Sequence, residues 1–298
     1  MLYFAYGSNL NAKDLARSTG RADFLTPVGP ALLPDRALAF TYFSPSRGGG
    51  ALDVVPRPGA VVVGMLFHVA PGGWAVLDRK EGHPHWLRRI RVVVLDEEGV
   101  EVEAETYEVV TSRREAFVAP RPDYLAVVRA GLRAHGLAAG LEPLAAAARG
   151  EVASAVEALF VYGTLMQGEC RHGALAPAGV RNIRPAIAPG RLLDCGAWPG
   201  MVRAVEEAEQ VRGEVVRVAD LEMAVRCLDR VEGFRGFGRG GSLFVRRVVQ
   251  VAEGRKAGAL AWTYRLAAPA GELVIASGSW REHRGPEGRS TATAEVCL

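Results

Sequence analysis

The chain has 298 residues, 49% hydrophobic and 23% charged, with a net charge of +3. This composition excludes disordered and fibrous classes, allows two ordinary cores, and leaves no strong positive field for nucleic acid or another polyanion. The four cysteines (Cys170, Cys195, Cys227, Cys297) lack CxxC spacing, so no disulfide framework or zinc site is expected. With no run near the roughly 18 apolar residues of a membrane span and no signal-like leader, the expectation is a cytoplasmic protein without a membrane partner.

In chain order, residues 1–6 form a short apolar run that reads as a buried strand, broken by Gly7 and followed by a helix over 12–18. Alternating stretches at 37–43 and 61–69 predict strands joined by the turn-rich segment 44–50. Trp74 and Leu77 share a helical face, and Gly82 ends that helix just after Glu81. Strands at 90–95 and 100–110 precede a helix at 125–135, and an Ala-rich helical stretch at 138–158 carries the domain boundary, giving domains 1–150 and 157–298.

The second half repeats the order. A strand runs into Tyr162 and Gly163, and Asp220 caps a helix with Leu221, Val225 and Leu228 on one face. Gly233 ends that helix after Glu232; strands at 244–251 and 257–266 follow, then a polar, loosely held tail from Arg281. Leu77-Asp78-Arg79-Lys80-Glu81-Gly82 returns as Leu228-Asp229-Arg230-Val231-Glu232-Gly233. Tyr6, Gly64, Glu81 and Tyr107 recur as Tyr162, Gly213, Glu232 and Tyr264, separated by 149 to 157 residues, a period the size of a domain.

A carboxylate at a helix C-terminus feels the negative end of the macrodipole, and apolar surroundings disfavour its charge further. Glu81 and Glu232 are therefore candidates for general acid/base work on one substrate, although a lone Glu before Gly also serves as a solvated helix end. In Tyr6-Gly7-Ser8 and Tyr162-Gly163-Thr164 the missing Cβ lets main-chain amides approach an anion, or else meets the needs of a tight turn.

Together Tyr3-Phe4-Ala5-Tyr6-Gly7-Ser8-Asn9, Gly64-Met65-Leu66-Phe67, the Glu81 hexapeptide and Pro122-Asp123-Tyr124 resemble γ-glutamylcyclotransferase over nearly the whole first half. The second half resembles the shorter γ-glutamylamine cyclotransferase and AIG2-like branch through Val161-Tyr162-Gly163-Thr164-Leu165, Pro199-Gly200 and Ser277-Gly278-Ser279-Trp280. The resemblance implies an α+β chain of two small mixed β-barrels with flanking helices. It also implies a reaction without metal or cofactor, in which the α-amino group of a small γ-glutamyl compound attacks its own γ-carbonyl to give 5-oxoproline and a free amine. Glu81 and Glu232 would move the protons; residues 3–9 (Tyr3, Phe4, Ala5, Tyr6, Gly7, Ser8, Asn9), Tyr124, and Tyr162, Gly163, Thr164 and Leu165 would bind substrate. The alternative is a binding module in which one barrel, the second, has lost turnover.

Trp86 and Phe244 stand where the family carries a tyrosine, so neither supplies a phenol. His83, His85 and His172 lack partners at metal-ligand spacing and read as loop residues. Arg88, Arg89, Arg91, Arg246 and Arg247 read as solvent-facing strand positions.

Overall fold

A computed structural model describes residues 1–254 and 256–285, divided into two compact units, the first Met1–Ala155 and the second from Val156 onward. Each unit contains a closed five-stranded mixed β-barrel with flanking helices.

In the first unit the apolar strand β1 (Leu2–Ala5) leads through a 3₁₀ turn (Ser8–Leu10) to helix α1 (Ala12–Thr19). The Asn11 side chain caps α1 by accepting from the amides of Lys13 and Asp14. Next come β2 (Leu25–Ser44), β3 (Gly49–Val69), α2 (Gly73–Glu81), β4 (Leu87–Asp96) and β5 (Glu101–Val109). β1 closes the barrel, antiparallel to β3 with Phe4 opposite Leu66, and parallel to β5 at Tyr3. Strands β2 and β3 run far beyond the stretches read from alternation. Their prolines sit at or beside register shifts such as Pro27/Gly29 and Pro34/Arg36, where a missing N–H is tolerated.

Helix α3 spans Pro122–Ala134, three residues earlier than expected, because Pro122 starts a helix at no hydrogen-bonding cost. Tyr124 thus rides on its first turn. The Ala-rich segment is helical only over α4 (Leu141–Ala148) after a 3₁₀ turn. Gly150, at φ 88°, turns the chain away so that Ala153 bridges Leu38 and Ser154 accepts from the Val61 amide at 3.0 Å.

The second unit comprises β6 (Leu159–Val161), β7 (Val180–Pro189), β8 (Arg191–Asp194), β9 (Pro199–Val202), β10 (Gln210–Val218), α5 (Leu221–Val231), β11 (Phe244–Glu253), β12 (Lys256–Leu266), β13 (Leu273–Val274) and α6 (Trp280–Arg284). β6 lies antiparallel to β10 and parallel to β12, the pairing pattern of β1. Where the first unit has one long hairpin, Gly190 interrupts the second, and β13, β8 and β9 form a separate three-stranded sheet.

One close approach explains the glycine that leads the apolar strand in both halves. A Cβ on Gly64 would lie 2.4 Å from the Ala5 carbonyl oxygen and 2.5 Å from the Phe4 ring; one on Gly213 would lie 2.3 Å from the Val161 oxygen and 2.9 Å from the Phe160 ring. Glycine lets the first strand of each barrel settle onto its neighbour.

Several expectations are corrected. The polar tail begins with a helix, since Trp280 is buried and Ser279 caps α6 by accepting from the Glu282 amide; residues 286–298, with Cys297, lie outside the described residues. Cys170 is disulfide-bonded while Cys195 and Cys227 are free, a pairing that local spacing does not signal. Arg246 is buried rather than solvent-facing. Its guanidinium lies 4.8 Å from the Trp262 ring centroid and 5.1 Å from that of Phe237, with Asp229 at 3.6 Å.

Candidate functional site

Glu81 is the last residue of α2, which Gly82 closes at φ 66°. The helix end is tied to the barrel by Tyr107, whose phenol donates to Oδ1 of Asp78 at 2.6 Å. This fixes the glutamate opposite the loop after β1. Asn9 Nδ2 donates to Oε1 of Glu81 at 2.9 Å, and Lys80 Nζ lies 3.2 Å from the same oxygen and 3.4 Å from Oγ of Ser8. In the adjoining 3₁₀ turn the first bond runs from the Leu10 amide to the Gly7 carbonyl, at 3.1 Å, so the Ser8 and Asn9 amides have no acceptor within it.

The carboxylate faces a cleft of about 990 Å³, bounded by Ser8, Glu81, Trp86, Arg47 and Tyr124. That is the upper end of the roughly 300–1,000 Å³ typical of small-molecule sites. Burial pushes the Tyr124 phenol up to about 12, and its oxygen accepts from the Leu52 amide at 3.3 Å. Arg47 stands 5.1 Å from the Tyr124 ring centroid and is clamped to Asp14 at 2.6 and 3.0 Å. Burial, the largest single influence, opposes ionisation of Asp14, but the hydrogen bonds and charge of Arg47 together with Arg17 and Lys80 outweigh it and hold the carboxyl below its usual range. Trp86 packs against Gly82 at the mouth, its indole covered by the Arg113 guanidinium at 3.8 Å. Tyr3, Phe4 and Ala5 belong to the core rather than the cleft wall, and the Tyr6 phenol donates to the Tyr107 carbonyl at 2.7 Å.

In the second unit Glu232 follows α5 as its C-cap, with Gly233 at φ 62°. Tyr264 donates to Asp229 at 2.6 Å, and Tyr162 to the Tyr264 carbonyl at 2.6 Å. Glu232 lines a pocket together with Tyr162, Gly163, Thr164, Leu165 and Phe244. Burial pushes its carboxyl up to about 7, with the Arg171 charge acting in the opposite direction. This pocket measures only about 30 Å³, room for a few waters at most. A Cβ on Gly163 would stand 2.5 Å from Pro199, so β9 lies directly on the loop. The Met201 amide, the counterpart of the Leu52 amide, donates to Tyr162 itself at 3.2 Å, where the first unit uses Tyr124.

The histidines read as loop residues do local work. His83 Nδ1 accepts from the Arg89 amide at 3.2 Å, and His172 Nδ1 lies 3.0 Å from the Leu165 carbonyl. Among the described residues no three His, Cys, Asp or Glu side chains are grouped to hold a metal ion, and no helix is long and apolar enough to cross a membrane. Sequence reasoning gave the Asn9 side chain no role beside Glu81. The available signal was the loop alignment, which sets Asn9 against Leu165.

Each unit is thus a closed mixed barrel carrying a glutamate at a helix end opposite a glycine-containing loop, and the chain holds two of them in tandem. It belongs to the family described as gamma-glutamyl cyclotransferase, AIG2-like, which matches residues 3–126 and 159–282. A gamma-glutamyl cyclotransferase from Niallia circulans named for gamma-L-glutamyl-butirosin B is 36% identical over 107 residues, 36% of this chain and 64% of that protein. The match therefore spans just under two thirds of the relative's length. A solved gamma-glutamyl cyclotransferase is 27% identical, covering 49% of this chain and 86% of its own at a TM-score of 0.44. The crystal structure of YkqA from Bacillus subtilis, 13% identical with a TM-score of 0.36, covers 91% of this chain and 86% of its own.

Proposed function

We propose that the first unit cyclises a γ-glutamyl amide or peptide to 5-oxoproline and a free amine, with Glu81 as the general acid and base. The observation that carries this reading is the placement of Glu81 at the wall of a cleft of about 990 Å³, bonded to Asn9 of the β1 loop at 2.9 Å. The γ-glutamyl group lies along residues 6–9, its α-ammonium toward Glu81 and its γ-carbonyl oxygen toward the loop amides. Glu81 takes a proton from the α-ammonium, and the amine so formed attacks the γ-carbonyl carbon. The carbon–nitrogen bond to the leaving amine then breaks, Glu81 returns the proton to that nitrogen, and the ring nitrogen passes its second proton to the released amine, which departs as an ammonium. Closure of a five-membered ring is intramolecular, so holding the near-attack geometry supplies much of the rate. The loop amides stabilise the oxyanion, and no metal or cofactor enters.

Tyr124 closes the substrate side of the cleft, where its phenol contacts the bound group. We place turnover in the first unit. The reading in which the second barrel lacks turnover is favoured by its pocket of about 30 Å³ under Pro199, too small for a γ-glutamyl group. A cytoplasmic setting belongs to the proposal. Incubation of the purified chain with a panel of γ-glutamyl amino acids, peptides and amines, followed for 5-oxoproline, tests the proposal. Formation lost in Glu81→Gln supports it, and no product from any panel member contradicts it.

A further inference from the structure

The polar side chains gathered at Glu81 have apolar counterparts in the second unit. Asn9 Nδ2 donates both to Oε1 of Glu81 at 2.9 Å and to the Tyr3 phenol oxygen at 2.7 Å, while Lys80 Nζ stands 3.2 Å from the same Oε1. With Tyr6 aligned to Tyr162 and Glu81 to Glu232, Tyr3 falls on Leu159, Asn9 on Leu165 and Lys80 on Val231. Every polar neighbour that grips the first carboxylate is thus missing from the second.

Both donors converge on one oxygen. Among the described residues no hydrogen bond reaches Oε2. The Asn9 amide turns its donor toward the carboxylate and leaves its own Oδ1 buried without a partner. A packing role alone gives no reason to leave that carbonyl unsatisfied, whereas reversing the amide would set two acceptors against each other. Charge-assisted bonds to one oxygen fix the torsion of the carboxylate and keep the lone pairs of the other available for a proton.

We infer that Asn9 and Lys80 are positioning residues that anchor Glu81 through Oε1 and present Oε2 to the substrate, with Tyr3 holding the Asn9 amide in place. The inference rests on the reaction proposed above. In the first step an N–H bond of the α-ammonium breaks and Oε2–H forms; in the last, Oε2–H breaks and an N–H bond of the departing amine forms, while the ring nitrogen passes its second proton to that amine, which leaves as an ammonium. Lys80 and Asn9 keep their protons throughout. A carboxylate already oriented in the free protein has no reorganisation to undergo as the proton moves, so the benefit falls on turnover rather than on binding.

The test is steady-state kinetics of 5-oxoproline formation by the full chain, using the panel member that the wild type turns over best. Asn9→Leu and Lys80→Met are compared with Lys80→Arg, with circular dichroism and melting temperature checking the fold. The expected result is a fall in kcat of about 10- to 100-fold for Asn9→Leu and Lys80→Met with KM within about threefold, and kcat largely recovered in Lys80→Arg. If Asn9→Leu does not fold, Asn9→Ser takes its place and is expected to show the same loss. Folded Asn9 and Lys80 variants with wild-type kcat, or with a loss confined to KM, overturn the inference. The reaction itself stands in that case so long as Glu81→Gln is inactive. A wild type that forms no product from any panel member, or a fully active Glu81→Gln, overturns the reaction and the inference with it.

Discussion

Tyr107 donates its phenolic proton to Asp78 at 2.6 Å, and the second unit repeats the bond between Tyr264 and Asp229 at the same distance. Each bond joins the last strand of a barrel to the helix that ends at the glutamate, three residues beyond the aspartate. Burial first, and then the aspartate, push the Tyr107 phenol far above its ordinary value, so it remains a donor at any working pH. Tyr107→Phe is expected to destabilise the first unit by about 1–2 kcal/mol and to slow turnover by loosening α2, whereas Tyr264→Phe destabilises only the second. Urea unfolding and initial rates for both variants check this.

The raised Glu232 carboxyl gives stability a pH dependence of defined sign. The folded group keeps its proton up to about pH 7, whereas the unfolded one loses it near 4.5. The contribution is fully present below that lower value and declines as pH rises toward 7, by about 3 kcal/mol over the whole window. Glu232→Gln should remove this slope. Unfolding free energies of wild type and variant at intervals from pH 4.5 to 8 report the difference, and a difference that stays constant contradicts the burial of an ionisable carboxyl.

Gly64→Ala and Gly213→Ala introduce carbons 2.4 and 2.3 Å from carbonyl oxygens of the neighbouring strand. Both lie well inside contact distance, and the contacted atoms are backbone. Each substitution is expected to cost at least about 2 kcal/mol in its own unit and leave the other unit's transition unchanged. Differential scanning calorimetry of the two variants separates the effects.

The difference in cleft size predicts which glutamate sees ligand. In Glu81→Gln, which binds without turning over, a γ-glutamyl compound should raise the unfolding temperature of the first unit alone. Hydrogen exchange should slow at residues 6–9 and 81, with no protection at 162–165.

What could be read from the sequence was what the chain repeats. The helix-end positions of Glu81 and Glu232, the recurrence of Gly64 and Gly213, and the division into two domains were legible because two copies keep the same marks in the same order, whereas the barrels themselves followed from resemblance and the close approach at the two glycines from the fold. Contacts made only by the tertiary fold were not legible. Asn9 and Glu81 are 72 residues apart and are joined by the meeting of a strand loop with a helix end. Arg246 looked like a surface arginine because Phe234, Phe237 and Trp262, which bury it, come from the loop before its own strand and from the strand beside it. The Ala-rich segment has helical composition throughout, but Gly150 and the bridge from Ala153 to Leu38 draw its second half out of the helix. Substrate chemistry followed from resemblance, whereas the contrast between an open and a closed pocket came from the placement of Pro199 and Tyr124.

The central claim is that Glu81, and not Glu232, carries turnover. Its most direct measurement is the rate of 5-oxoproline release by wild type, Glu81→Gln and Glu232→Gln on one γ-glutamyl substrate under identical conditions. The expected result is a loss of at least about 1,000-fold in Glu81→Gln, with Glu232→Gln within about twofold of wild type. Retained activity in Glu81→Gln, or its collapse in Glu232→Gln, would contradict the account.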